Sequence, residues 1–295
     1  MKTWIICNPG AGNVDDTDAL RAQLERFPSA EVHFTAGPGD ASRLAADALA
    51  NGCDAVVAVG GDGTLNEVIN GVAPRISEIG VGLIPLGTGN DFARMLTLPT
   101  SIDDCVDVLS RGNVRPTDLV RVTSDQVRYF INVSAGGFSG AVGDKMTPEI
   151  KQTWGPLAYV RCAAEALPEL KAYQTEITLD NMSTSTLDVY NVVIANGRFV
   201  AGGTLIAPDA QIDDGLLDIV IVPERPAGEL AMVAAQIALG QHLESELVVF
   251  RRAASVTVSS TPGMWFNVDG EVVGNEPARF EVLPRVVQFL SAAQP

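Results

Sequence analysis

The sequence predicts an α/β + β protein: an N-terminal doubly wound α/β domain followed by a mostly antiparallel β-sandwich domain. Three observations carry this expectation. Up to about residue 115, short apolar runs alternate with stretches of helical periodicity, the pattern of a parallel sheet with crossover helices. Beyond Arg115-Pro116, period-2 runs dominate, as in a sandwich or barrel. Glycine turns at residues 8–12, 60–64 and 86–91 each follow a strand of the first half. In a parallel sheet they converge on the edge where open α/β sheets bind ligands. The expected domains are residues 1–118 and 119–290, with the last few residues, near 290–295, rejoining the first.

Residues 3–7 read as a buried strand, followed by the turn Asn8-Pro9-Gly10-Ala11-Gly12 and a helix over about 15–27 with Leu20, Leu24 and Phe27 inward. Residues 31–35 form a second strand. Asp40 caps a helix through 49, closed by Asn51-Gly52. Strand 55–59 enters the turn Gly60-Gly61-Asp62-Gly63-Thr64, and Leu65, Val68, Ile69 and Val72 share one face of the helix beyond it. Strand 81–84 leads into Pro85-Leu86-Gly87-Thr88-Gly89-Asn90-Asp91-Phe92 and a short helix. Ser101 and Asp104 then form a capping box for a helix to 109. In the second half, strands are expected at 119–123, 127–133, 174–179, 187–195, 216–222, 247–251, 255–259, 264–268, 279–283 and 286–290. Helices are expected at about 156–167 and 227–239. The latter is apolar on nearly every side, which packing against a sheet explains better than contact with a membrane.

The 295 residues carry a net charge of −16, with 46% hydrophobic and 19% charged residues. That charge argues against nucleic acid and against strong adsorption to anionic lipid, leaving room only for transient peripheral contact through a local patch. No apolar run approaches the ~20 residues of a membrane span, and the run at 4–7 is too short for a signal-peptide core of ~7–15. Cys7, Cys53, Cys105 and Cys162 are widely spaced, and His33 and His242 are the two histidines. Neither a zinc site nor a disulfide framework is supported, so a reducing cytoplasm is the expected location.

The turn at 60–64 exposes backbone N–H groups beside a helix N-terminus, which suits a phosphate. Asp62 is out of place in a plain anion cradle, because a carboxylate facing phosphates is repelled unless a divalent cation lies between them. The turn therefore suggests a metal–nucleotide complex. The bland alternative is that Asp62 only caps the helix starting near Thr64. The first turn has Gly10-x-Gly12 but Asp15 where a third glycine would be, which disfavours a dinucleotide fingerprint. There is no P-loop lysine motif.

Taken together, Asn8-Pro9-x-x-Gly12, Gly60-Gly61-Asp62-Gly63-Thr64, Pro85-Leu86-Gly87-Thr88-x-Asn90-Asp91-Phe92, Gly202-Gly203 before Pro208, Asp213-Asp214-Gly215-Leu216-Leu217 and Asp269-Gly270-Glu271 resemble the soluble lipid kinases that share the diacylglycerol kinase catalytic domain. Sphingosine and ceramide kinases are relatives, with NAD kinases and phosphofructokinases more distant. The resemblance spans essentially the whole chain. It implies an NAD-kinase- and phosphofructokinase-like nucleotide domain and a transferase of phospholipid biosynthesis that uses ATP and Mg²⁺ to phosphorylate a lipid hydroxyl, first of all that of diacylglycerol.

The same resemblance assigns residues. Asn8, Pro9, Gly10, Ala11 and Gly12, with Thr35, Gly60, Gly61, Asp62, Gly63, Thr64, Leu65, Asn66, Glu67 and Thr88, are the implied ATP contacts. Asp62 and Asp91 are implied acids needed for activity, through Mg²⁺. Glu271 is the implied general base, on the β domain and opposite the nucleotide edge. The side chain of Asp214 and the main-chain carbonyls of Gln211 and Leu216 are an implied Mg²⁺ site, oxygen-only as a hard cation requires. The chain departs from the pattern at Gly10-Ala11, where relatives often carry a hydroxyl residue, and at Ser139, where an acid is common.

Bland alternatives stand beside each assignment: a charged hairpin residue for Glu271, a solvated turn at 213–215, loop ties for Asn66 and Asn90, a strand end for Thr35 and a cap for Thr88. The competing functions are an NAD-kinase-like small-molecule kinase and a non-catalytic lipid-binding or regulatory protein. The expected partner is a lipid substrate at the membrane surface. The edge strands of a mostly β domain leave a homodimer open.

Overall fold

A computed structural model describes residues 1–12, 14, 16–138, 170–269, 271–274 and 277–292. The chain divides into two compact units: Met1–Leu119 with Tyr129–Ile131 and Leu283–Pro295, and Val120–Arg128 with Asn132–Val282. The return to the first unit thus begins at Leu283, earlier than the expected last few residues. The expected helix at 156–167, Cys162 and Ser139 lie outside the described residues.

In the first unit, strands β1 (Thr3–Cys7), β2 (Ala30–Phe34), β3 (Ala55–Gly60) and β4 (Gly80–Pro85) are parallel in the order β2-β1-β3-β4. The end of a later strand, at Gln288 and Phe289, pairs with β4 in parallel. Helices α1 (Thr17–Leu24), α2 (Asp40–Ala50), α3 (Asp62–Val72), α4 (Asp91–Met95) and α5 (Ile102–Leu109) complete it. Leu20, Leu24 and Phe27 share one core with Cys105, Val106 and Leu109 against Ile5, Val57 and Val59. Helices α2 and α3 pack on one another, so closely that a Cβ on Gly71 would strike Ser42 O. The strand order reverses between β1 and β3, because the chain leaves β1 for β2 on one side and returns to β3 on the other. That is the switch point at which α/β sheets open a crevice.

The caps follow local chemistry. Ser101 Oγ accepts from Asp104 N at 3.2 Å. Asp40 is the first residue of α2, behind Gly39 as cap, and its carboxylate instead accepts Ala36 N at 2.9 Å. Expectation and structure differ there because Asp40 pairs with Arg43 one turn on.

The second unit is antiparallel. Strands β5 (Val114–Thr123) and β6 (Val127–Phe130), each running partly in the first unit, precede β7 (Val133–Gly137), β8 (Tyr173–Leu179) and β9 (Ser183–Ala195). A small pair, β10 (Phe199–Val200) and β11 (Thr204–Leu205), leads to β12 (Leu217–Pro223). Then come β13 (Val249–Ala253), β14 (Ser255–Thr261), β15 (Phe266–Val268), β16 (Glu271–Val273) and β17 (Ala278–Leu290). The long strand β9 pairs with β8 through Ser183–Val189 and with both β7 and β12 toward Ala195. Helix α6 (Ala227–Leu239) buries Val233, Ala234 and Ile237 against Val193, Ala195, Val220 and Val222, the packing expected of it. Its outer face leaves Met232 55% and Leu239 70% exposed.

Two strand expectations change. The run 127–133 is two strands, broken where Asn132 N and Val133 N turn to the Asp269 carboxylate instead of a ladder partner. The runs 279–283 and 286–290 are one strand, β17. Pro284 and Arg285, the latter at φ 55°, mark where it passes from the partner β14 to the partner β4.

Candidate active site

Three turns meet at the carboxyl edge of the first unit's sheet. Asn8 N donates to Val59 O and Leu86 N to Gly60 O, both at 2.9 Å, which ties each turn to the end of a neighbouring strand. Asn8 Oδ1 accepts Gly10 N at 2.9 Å, closing the first turn on itself, and Asn8 Nδ2 reaches Thr64 Oγ1 at 3.4 Å. A Cβ on Gly87 would lie 2.5 Å from Gly61 Cα, so the second and third turns touch backbone to backbone. Glycine is required at that contact. Gly12, at φ 75°, fits under the Leu86 carbonyl in the same way.

The helix α3 begins at Asp62, two residues earlier than the sequence pattern suggests. Its first intrahelical bond is Leu65 N to Gly61 O at 3.1 Å. The N–H groups of Asp62, Gly63 and Thr64 precede it and point out of the helix end. Gly63 is exposed and Asp62 half-buried, whereas Thr64 is buried.

Asp62 does not cap its own helix. Its Oδ2 accepts Asp91 N and its Oδ1 accepts Phe92 N, each at 3.0 Å, at the start of α4. Asn90, in the left-handed region at φ 51°, caps α4, and its Nδ2 donates to Gly87 O at 2.5 Å. Thr88, offered as a cap, is exposed and is not the cap residue. Asp91 is 5% exposed. Each Asp62 oxygen keeps a lone pair beyond its backbone bond. Among the described residues no group of three or more His, Cys, Asp or Glu side chains is placed to hold a metal ion. A donor set of one or two carboxylates fits Mg²⁺, which is commonly held that way together with substrate phosphates.

Three other assigned residues have structural partners, two through the side chain and Thr35 through its backbone. Glu67 Oε2 accepts Ala41 N at 3.1 Å, capping α2 from α3. Asn66 Nδ2 lies 3.4 Å from Tyr129 O, beside Asn70, whose amide bonds Tyr129 O at 2.9 Å and Tyr129 N at 3.0 Å. Thr35 N donates to Cys7 O at 2.9 Å, which carries Thr35 to the same sheet edge. Asn70 went unrecognised in the sequence because an asparagine inside a helical run carries no motif.

In the second unit, Asp214 Oδ1 accepts Leu216 N at 3.0 Å and Oδ2 pairs with the Arg252 guanidinium. Gln211 is exposed. Asp218, 0% exposed and unrecognised in the sequence, stands beside them. Among the described residues the one polar contact to its oxygens is Arg252 Nε, 3.5 Å from Oδ2. Burial pushes its carboxyl up to about 6, with Arg252 opposing and Asp214 reinforcing the shift. Asp214 and Asp218 share the Arg252 guanidinium, and their carboxylate oxygens are of the type a hard cation takes. The signal was a single acid inside the apolar run 216–222. Glu271 opens β16, opposite Val268 in the ladder.

Comparisons with known proteins show the family to which the chain belongs. Residues 2–122 match the sequence model of the diacylglycerol kinase catalytic domain, and residues 132–291 match that of the YegS C-terminal NAD kinase beta sandwich-like domain. The chain is 36% identical to a diacylglycerol kinase of Staphylococcus saprophyticus, covering 98% of this chain and 95% of that one. It is 34% identical to one from Staphylococcus epidermidis, covering 98% and 92%. A Bacillus anthracis crystal structure described as a candidate diacylglycerol kinase superposes with a TM-score of 0.81 at 24% identity, covering 98% of this chain and 95% of that one. At that identity the likeness speaks for the fold.

Proposed function

The chain belongs to the diacylglycerol kinase catalytic-domain family and is a lipid kinase, and we propose that it transfers the γ-phosphate of ATP, with Mg²⁺, to the hydroxyl of diacylglycerol. The observation that carries the proposal is the Asp62 clamp. It fastens the Gly60–Thr64 turn to the start of α4 and leaves the first-turn N–H groups of α3 free for phosphate oxygens. The helix dipole adds to their pull on an anion.

The roles follow from position. The N–H groups of Asp62, Gly63 and Thr64 supply backbone donors, while Asn8, Pro9, Gly10, Ala11 and Gly12 and the rest of the run from Gly60 to Glu67 form close walls for the nucleotide, with Thr35 and Thr88 at the same edge. Ala11 N is already bonded to Asn8 O at 3.1 Å, so it shapes the turn rather than donating to a ligand. Glu67 and Asn66 act through the loops they tie. Asp62 and Asp91 hold Mg²⁺, and Asp214 with the Gln211 and Leu216 carbonyls holds a second ion. Bound Mg²⁺ neutralises charge on the β- and γ-phosphates. As the lipid hydroxyl oxygen bonds to the γ-phosphorus, Glu271 takes the hydroxyl proton. The bond from the γ-phosphorus to the bridging oxygen breaks, and ADP leaves with its electron pair.

A second reading rests on the match of residues 132–291 to an NAD kinase-like sandwich, with NAD as acceptor. Offering γ-labelled ATP and Mg²⁺ with diacylglycerol in micelles, and separately with NAD, decides between them. Label in the lipid supports the proposal. Label in the dinucleotide alone replaces it with the second reading, and label in neither favours a non-catalytic role.

A further inference from the structure

We infer that Asp269 is a positioning residue for Glu271, an inference that rests on Glu271 as the base. The Asp269 carboxylate grips the start of β7. Its Oδ1 accepts Val133 N at 3.0 Å and its Oδ2 accepts Asn132 N at 3.3 Å. Asp269 N donates back to Val133 O at 3.3 Å, so the two segments are joined in both directions. The gripped segment is itself anchored. Asn132 O accepts Asn196 N and Gly197 N, both at 2.9 Å, and Asn132 Nδ2 donates to Phe199 O at 2.9 Å.

Asp269 holds φ 45°, a left-handed conformation that a non-glycine residue keeps only when its surroundings enforce it. Glu271 follows two residues later and enters the ladder opposite Val268, which pairs on its other side with Ser134 of β7. The base therefore departs from a backbone fixed on one side by the ladder and on the other by a carboxylate bolted to β7. These two backbone bonds tie the Asp269 carboxylate to β7. The tie sets where the next acid begins, and a displacement of about 1 Å at a reacting group is worth on the order of 100-fold in rate.

The test compares Asp269→Asn and Asp269→Gly with wild type for kcat, KM for ATP and melting temperature. It adds Glu271→Gln and the double variant Asp269→Asn/Glu271→Gln, assayed with excess enzyme. Asp269→Gly keeps the left-handed backbone without strain and removes only the grip, so it serves if Asp269→Asn folds poorly. The expected result is a kcat lower by about 10- to 100-fold with KM for ATP within about twofold of wild type. Adding Asp269→Asn to Glu271→Gln is expected to cost nothing further. Wild-type kcat in both Asp269 variants, or a full additive loss in the Glu271→Gln background, overturns the inference. Full turnover by Glu271→Gln instead removes the base reading itself, an outcome distinct from the failure of the grip alone.

Discussion

The Asp62 carboxylate accepts the Asp91 backbone N–H at 3.0 Å on one oxygen and Phe92 N at 3.0 Å on the other. Two turns far apart in sequence become one rigid edge. A charged acceptor with two backbone donors is replaced only in part by an amide, whose single oxygen accepts and whose NH₂ repels the second donor. Asp62→Asn is expected to cost about 1–2 kcal/mol of stability and at least about 100-fold in turnover. Chemical denaturation and steady-state kinetics read the two effects separately. A variant with wild-type turnover would dismiss the role of Asp62.

Gly87→Ala tests the backbone contact with Gly61. The added Cβ meets main chain, not a flexible side chain, so the turns must part. The expectation is a loss of about 1–3 kcal/mol and about tenfold or more in kcat/KM for ATP. An unaltered kcat/KM for ATP would show that the contact does not shape the nucleotide edge.

Arg252 pairs with the buried Asp218 carboxylate and also with Asp214. Arg252→Gln leaves both acids without that charge. Because Arg252 is partly exposed, solvent screens the pair and the expected destabilisation is moderate, about 1–3 kcal/mol. Millimolar Mg²⁺ is expected to raise the melting temperature of Arg252→Gln more than that of wild type, with EDTA reversing it. Equal response in the two proteins would speak against a cation at the 211–216 turn.

His242 gives the second unit an acid limit. It is 0% exposed, its Nε2 lies 2.7 Å from Ile206 O, and its Nδ1 has no partner among the described residues. Burial holds the imidazole below its ordinary range, with the Ile206 bond opposing. The folded state therefore binds fewer protons than the unfolded chain, whose histidine titrates near ~6.5. Stability is full above that value and falls as pH drops through it, by up to about 1.4 kcal/mol per unit for one proton. His242→Gln is expected to flatten this slope between about pH 6.5 and 5, measured by denaturant unfolding. An unchanged slope would place the acid sensitivity elsewhere.

The parallel half was legible because β1, β3 and β4 are largely apolar runs that lead into glycine-bearing turns, as at Ala55–Gly60. The apolar helix Ala227–Leu239 was legible to its last residue, since Pro226 and Gly240 punctuate it. The structure differs where tertiary partners override local pattern. The run 127–133 alternates like one strand, and only Asp269, more than a hundred residues away, divides it. Pro284 looks like a strand break, yet β17 runs through it while changing neighbours. At the site, the glycines and acids were visible as motifs. Their use was not: Asp62 serves a helix 29 residues later, and Glu67 caps a helix that precedes it.

The measurement closest to the central claim follows γ-labelled phosphate from ATP into lipid with diacylglycerol as the sole acceptor, Mg²⁺ present, in wild type, Asp62→Asn and Glu271→Ala. The account predicts labelled phosphatidate from wild type and almost none from either variant, with both variants folded. Absence of labelled lipid from the wild-type protein, or an undiminished yield from Glu271→Ala, would contradict it.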